Sequence, residues 1–531
     1  MHRCMGIVEI LDHITEYLTP REALQFALTC RIFSDPGLDE VWHTIHSFEP
    51  LIACLPQDVW REQKMIVPSS WPEEDDEEYT MLHLVRPLRR EHIARYLDFY
   101  APRIREVRFD PWYGTRTPSI ESLHGLQVLT GCQPGVLSPL LKRFSWYEVE
   151  VAIGAYGWDY ATQLAAHMSL FLGKKIEHMT VDVMDDTPLS FQAATHSSMD
   201  RCKTNLRKLY ILGKDAIGRT FQSITFQALE DLELRFVPPT AINDLAALPM
   251  LCRLDISGIE AEDSKGSPLN PIVANPNTFS ALRSLEVKAT QPHNIHYLLR
   301  HLPPNRGLHS LEWDAIWEKN SVEDWQLFLK ALAAHYKCFC LTHLKLRGRP
   351  PTSPLRPFEP PVETDPLQLG LEPLFKFGSL QTLEIEMPHC IALSPSIIAK
   401  IPSVWPALHR LILAPSTPSP HPPNIDHTHV LELCQKIPSL TWLSVRFDAS
   451  RITGEERFVG PPPKLRLLGV GRSPIISPSG VTSWLLHNFP EFRLLITERD
   501  YGEEDGDVFK TRWEAVDKGW RAERKQASMF K

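Results

Sequence analysis

Residues 406–445 read PALHRLILAPSTPSPHPPNIDHTHVLELCQKIPSLTWLSV, and they hold the pattern that decides the fold. The block opens and closes on the same unit: a proline, one spacer, then Leu-x-x-Leu-x-apolar, at Leu408–Leu413 and again at Leu440–Val445. Proline cannot continue a helix and biases its predecessor toward extended backbone, so it marks a return from helix to strand. In the strand that follows, alternate side chains share a face, which puts the last two apolar residues into one core and the residue between them outside it.

Working outward, the Leu-x-x-Leu-x-apolar motif recurs at Leu206, Leu229, Leu251, Leu282, Leu308, Leu341, Leu380 and Leu465, with intervals of 22 to 39 residues. Chance would supply about two matches. Looser versions stand at Ile104, Leu141, Ile176 and Phe492, and a further match at Leu123–Val128 is ambiguous. Pro139, Pro249, Pro463 and Pro490 repeat the placement of Pro406 and Pro438. Between the motifs, Ala161–Leu172 and Ser321–Tyr336 are predicted helices. Their apolar faces are Leu164, Met168, Phe171 and Leu172 in the first, and Trp325, Phe328, Leu329 and Leu332 in the second.

Periods in or near 20–29 residues with insertions resemble leucine-rich repeats. The predicted class is α/β: an N-terminal three-helix module followed by an irregular leucine-rich-repeat solenoid with a parallel inner sheet over 101–497. An asparagine after the last strand leucine is missing, with Lys214, Glu260 and Lys288 near its place, so no asparagine ladder is expected. The Pro/Ser stretches at 349–366 and 414–424 read as surface insertions.

At the other end, Ile7, Ile10, Leu11, Ile14 and Leu18 form one helical stripe. Thr19-Pro20-Arg21-Glu22 has the cap, first-turn proline and third-position acid of a second helix start, and Asp35-Pro36 repeats the signal for a third. With ALQFALTCRIF, Leu38 and Trp42, residues 1–47 resemble the F-box motif of fungal F-box proteins, Ile7-Val8-Glu9 standing where many members carry Leu-Pro-x-Glu. The resemblance implies docking onto a Skp-type adaptor and, through it, a cullin scaffold. The implied adaptor-binding residues are Ile7, Ile10, Leu11, Ile14, Leu24, Leu28, Cys30, Phe33 and Trp42.

Residues 48–100 read as a connecting segment containing six consecutive acids at 73–78, a flexible loop or a contact for a basic partner. Residues 498–531 form a tail in which Phe509, Trp513, Val516 and Trp520 share a helical face, either capping the last repeat or binding a partner.

Composition narrows the function classes. The 531 residues are 43% hydrophobic and 23% charged with a net charge of −9, an ordinary globular balance that disfavours sequence-independent nucleic-acid binding. Neither a secretory leader nor a membrane-spanning stretch is predicted, and ten scattered cysteines suit a cytoplasmic or nuclear location. Phosphate-loop, dinucleotide and nucleophile-elbow motifs are missing, and the pairs His293/His296, His427/His429 and Cys338/Cys340 lack metal-site frames. No catalytic residue, cofactor or metal is therefore expected.

The expected role is substrate receptor of a cullin-type ubiquitin ligase; the alternative is a leucine-rich-repeat scaffold or sensor independent of ubiquitination. Candidate target contacts are the outward residues Glu233, Asp255, Glu286, Glu312, Lys345 and Glu384, either a solvated lattice of cross-strand pairs or an acidic stripe for a basic segment.

Overall fold

The computed structural model describes residues 7–67, 77–109, 116–146, 166–181, 189–212, 223–238, 241–259, 278–290, 307–316, 322–335, 340–349, 368–387, 389–413, 422–457, 462–496 and 508–529, with short pieces between them. The chain divides into two compact units, Met1–Cys252 and Arg253–Lys531.

In the first unit, helices α1 (Val8–Thr15), α2 (Pro20–Thr29) and α3 (Arg31–Val41) lead directly into strand β1 (Thr44–Ile45). Thr19 caps α2 in a full capping box with Glu22. The third helix differs from its expected start: it begins at Arg31 and carries Pro36 inside it. One intrahelical bond is lost there, while packing holds the helix. Phe33 stacks on Phe26 with centroids 4.3 Å apart. Gly37 sits so close to α2 that a Cβ would stand 2.7 Å from both the Ala23 carbonyl and the Ala27 methyl.

Two sheets follow. Strands β2 (Trp60–Val67) and β3 (Glu77–Leu84) form an antiparallel hairpin, and β5 (Arg116–Pro118) adds parallel to β3. Of the six acids expected in a loop, Glu77 and Glu78 belong to β3, paired with Val67 and Ile66; residues 73–76 lie outside the described residues. In the larger sheet, β1 pairs with β4 (Glu106–Phe109), then β6 (Arg143–Trp146), β7 (His178–Val181), β8 (Lys208–Ile211) and β9 (Asp231–Leu234) add in chain order, all parallel.

The second unit repeats that plan. Strands β10 (Arg253–Ile256), β11 (Ser284–Thr290), β12 (Ser310–Ile316), β13 (His343–Arg349) and β14 (Thr382–Glu386) are followed by β15 (Arg410–Leu413), β16 (Trp442–Val445), β17 (Leu467–Gly469) and β18 (Leu494–Ile496). Each pairs parallel with the next. The described helices of this unit, among them Val322–His335, Pro395–Val404, His427–Lys436 and Pro478–Asn488, return the chain between strands, as leucine-rich repeats require.

The motif accounts for this stacking group by group. Its first leucine closes a turn around the proline: Leu408 N–H donates to Trp405 O at 3.2 Å and Leu440 N–H to Ile437 O at 3.0 Å. The two residues after that leucine donate together to one carbonyl of the preceding repeat. Arg105 O accepts from Lys142 and Arg143, Lys142 O from Glu177 and His178, and His409 O from Thr441 and Trp442. This carbonyl ladder connects successive repeats, as a missing asparagine ladder does not.

The later leucines fill the core, with Leu209, Leu232, Leu254, Leu311, Leu383 and Leu443 fully buried. Where the motif has tryptophan, at Trp313, helix Val322–His335 supplies Trp325 and Phe328 at 4.3 and 4.7 Å. The ambiguous match at Leu123–Val128 lies in a helix, Ile120–Leu129. Of the helix expected over 161–172, residues 161, 162, 164 and 165 lie outside the described residues and Met168–Leu170 is a 3-10 turn; 350–366 and 414–421 of the insertions and Lys214 and Glu260 also lie outside the described residues.

A last helix, Val508–Met529, covers the final repeat. Trp513 and Val516 are fully buried and Trp520 nearly so, and Trp513 Nε1 donates to Ser473 O at 2.8 Å. Phe509 is exposed. The amphipathic tail thus caps its own array, sparing the last repeat an open apolar face.

Candidate interaction surfaces

Two surfaces gather the residues singled out in the sequence. On the helical module, the capping box and the Gly37 contact pack α2 against α3, and this sorts the expected adaptor contacts into two sets. Leu11 is fully buried, Phe33 nearly so, and Trp42 turns toward its own chain, stacked on Tyr100 at 4.3 Å. These three build and anchor the module, so they do not face a partner. Ile14 is half-buried, and half-buried Cys30 flanks α3 as its N-cap. Ile7, Ile10, Leu24 and Leu28 are exposed, Leu28 to 77%.

Val8, Tyr17 and Ile32 are also exposed on this module, and the single-stripe reading missed them. For Val8 the signal was available: α1 is apolar at consecutive positions, Ile7-Val8 and Ile10-Leu11, so one stripe cannot bury it all. Seven large apolar side chains are therefore exposed within 26 residues, the kind of exposure that, where side chains adjoin, marks interaction sites.

The module is fixed to the sheet beside it. Arg103 donates to Asp35 Oδ1 at 2.6 Å and to Asp39, and stacks 4.5 Å from the Phe99 ring. Burial alone would lower its pKa; its hydrogen bonds to the two aspartates raise it above the ordinary value. His43 O accepts from Arg105 N and Glu106 N, so the carbonyl ladder begins at the end of the helical module.

The second surface is the outward face of the parallel strands. In the first unit Glu233 stands in register beside Tyr210. In the second unit Asp255, Glu286, Glu312, Lys345 and Glu384 form one continuous row across β10–β14. The row is neutralised from within. Lys288 bridges Asp255 and Glu286 at 3.0 and 3.1 Å, Arg253 reaches Glu286, and Lys345 donates to Glu312 at 2.7 Å. Burial depresses the Lys288 ammonium, but its hydrogen bonds to Asp255 and Glu286 outweigh that and raise it.

Glu384 is the most deeply buried member of the row, fully enclosed where Asp255 keeps 4% of its surface exposed. Arg347 donates to it at 2.9 Å, and Arg410 Nε stands 2.8 Å from Oε1, in charge contact but out of line for a hydrogen bond. Buried charge persists only when paired, so this residue is a structural clasp between β13, β14 and β15.

Among the described residues no group of three or more His, Cys, Asp or Glu side chains could hold a metal ion, and no helix is long and apolar enough to cross a membrane. His427 and His429 serve the local fold: His427 packs edge-on to Trp484, and His429 meets the capping carboxylate of Asp426. His293, His296 and Cys338 lie outside the described residues. A cleft of about 190 Å³ between helix Pro478–Asn488 and the last helix, lined by Phe489, Phe492 and Trp520, is a seam of the C-terminal cap. No family model matches the chain. No curated protein matches it either.

Proposed function

We propose that the chain is the substrate receptor of a cullin-type ubiquitin ligase, its helical module docking a Skp-type adaptor and its repeat array holding a protein target. The observation that carries this reading is the exposed apolar face of α1–α3, in particular Ile7, Ile10, Leu24 and Leu28, on a module whose own core is complete without them. Each such side chain buried by a partner is worth about 1.5–3 kcal/mol, so a few supply a stable complex. The receptor contributes proximity: the array presents a lysine of the target to a ubiquitin-carrying enzyme recruited through the scaffold.

The test is co-purification of the full chain with a Skp-type adaptor. A Leu24→Asp/Leu28→Asp variant should lose the adaptor while its far-ultraviolet circular dichroism and thermal midpoint stay at the parent values. Undiminished adaptor binding by a folded double variant overturns the reading and leaves a leucine-rich-repeat scaffold acting independently of ubiquitination.

A further inference from the structure

Beyond β14 the outward face of the second unit changes character. In register, Arg410, Trp442, Leu467 and Leu494 stand side by side across β15–β18. The Arg410 guanidinium lies 3.6 Å from the Trp442 ring centroid, Trp442 and Leu467 are half-buried, and Leu494 is 39% exposed. Four strands spaced about 4.8 Å apart make a strip roughly 14 Å long, the span of about four extended residues.

Two cations without an internal counter-charge lie near the strip, Arg493 at its edge and Arg446 four residues past Trp442, about 13 Å farther along the strand direction. Arg446 follows β16 and donates its Nε to Arg472 O at 3.3 Å; Arg493 is exposed beside Leu494. Among the described residues neither has a carboxylate within 4 Å, whereas every acid in the β10–β14 row has a basic partner. Burial lowers the Arg446 pKa; Cys390 opposes this and Arg472 adds to it. A partly desolvated guanidinium with no anion is a cost that a bound carboxylate removes.

We propose that this strip binds an acidic, apolar-rich peptide segment of the target, with carboxylates on Arg446 and Arg493 and aliphatic or aromatic side chains over Trp442, Leu467 and Leu494. The sign is opposite to that of a partner for the acidic row, because pairing has already consumed that row. Two unpaired cations and a mainly aliphatic strip suit a peptide better than a nucleic acid, which needs a basic track and successive stacking rings. The inference rests on the proposed function only in taking the outward sheet face as the target side.

Fluorescence anisotropy on the full chain tests it with four labelled probes: a short peptide alternating glutamate and leucine, the same with lysine and leucine, the same with glutamate and serine, and single-stranded oligothymidine. The glutamate–leucine peptide should bind at least about tenfold tighter than the other three, and added salt should weaken it. Arg446→Glu/Arg493→Glu should cost about tenfold or more. Leu494→Ser, an exposed position that leaves the charges intact, should weaken the same probe severalfold. Failure of the glutamate–leucine peptide to bind, equal binding of the lysine–leucine peptide or of oligothymidine, or indifference of the probe to Leu494→Ser each overturns the proposal. Adaptor co-purification of the same variants should be unchanged, so loss of the adaptor in the parent chain counts against the ligase reading alone.

Discussion

Trp42 lies against Tyr100 with ring centroids 4.3 Å apart and planes 25° from parallel. Trp42 ends α3, and Tyr100 precedes the turn into β4, so this one contact joins the helical module to the first repeats. Tyr96 lies edge-on to Trp42 at 6.3 Å and is itself locked by its hydroxyl donating to Leu137 O at 2.8 Å. With the Arg103 pairs to Asp35 and Asp39, the joint leaves little freedom between the three helices and the sheet.

Trp42→Ala should therefore loosen the joint without dissolving the module, whose core is Leu11, Ala23, Ala27 and Phe33. Losing one half-buried indole and its stacking partner should cost about 2 kcal/mol. Limited proteolysis should then cut near residues 43–48 in the variant before it cuts the parent. Equal cleavage rates would show that the stack carries no weight.

Leu11 and Leu28 belong to the same apolar pattern but should respond in opposite ways to aspartate. Leu11→Asp places a charge in a fully buried site and should unfold the module, visible as lost helical ellipticity. Leu28→Asp, at a side chain 77% exposed, should leave the helical ellipticity intact and change stability by no more than about 0.5 kcal/mol. Similar thermal shifts for the two variants would contradict the burial pattern.

Glu384→Gln should destabilise the second unit by about 3 kcal/mol, because Arg347 and Arg410 then face a buried position with no negative charge. Glu286→Gln, on the same row but partly exposed, should cost no more than about 1 kcal/mol. Urea unfolding of both variants measures the difference, and equal midpoints would rule out the clasp.

Acid should weaken the second unit in a defined window. Burial alone would raise the Glu456 carboxyl, but the N–H groups of Thr453 and Gly454 and the Thr453 hydroxyl bring it down to about 2. Asp426, capping helix His427–Lys436, is likewise raised by burial and lowered to about 2 by Thr428 and His429. A carboxyl with a depressed folded-state pKa contributes stability above its unfolded pKa and loses it as pH falls through the folded value. That stability should drain between about pH 4 and pH 2. In Glu456→Gln the slope of unfolding free energy against pH over that window should be shallower; an unchanged slope would refute the assignment.

The leucines of L-x-x-L-x-L, the prolines ahead of them and the Thr19–Glu22 box act over a few residues, through alternation, a fixed backbone angle and a local cap. The parallel strands, the turns and the start of α2 were therefore determined by the sequence alone. The start of α3 was not. Pro36 signals a first turn, yet Gly37 against α2 and the Phe26–Phe33 stack extend the helix back to Arg31, through contacts that only the tertiary packing makes. The same limit governs the surfaces. The apolar character of Leu11, Leu28 and Trp42 was legible, but only packing decided that the first is core, the second exposed and the third a joint. The acids from Asp255 to Glu384 were legible as a row; their partners Lys288, Arg347 and Arg410 come from neighbouring repeats 26 to 37 residues away or nearer in the chain, brought alongside by strand register. Register across a parallel sheet depends on the length of every return between strands, and no local pattern encodes that sum.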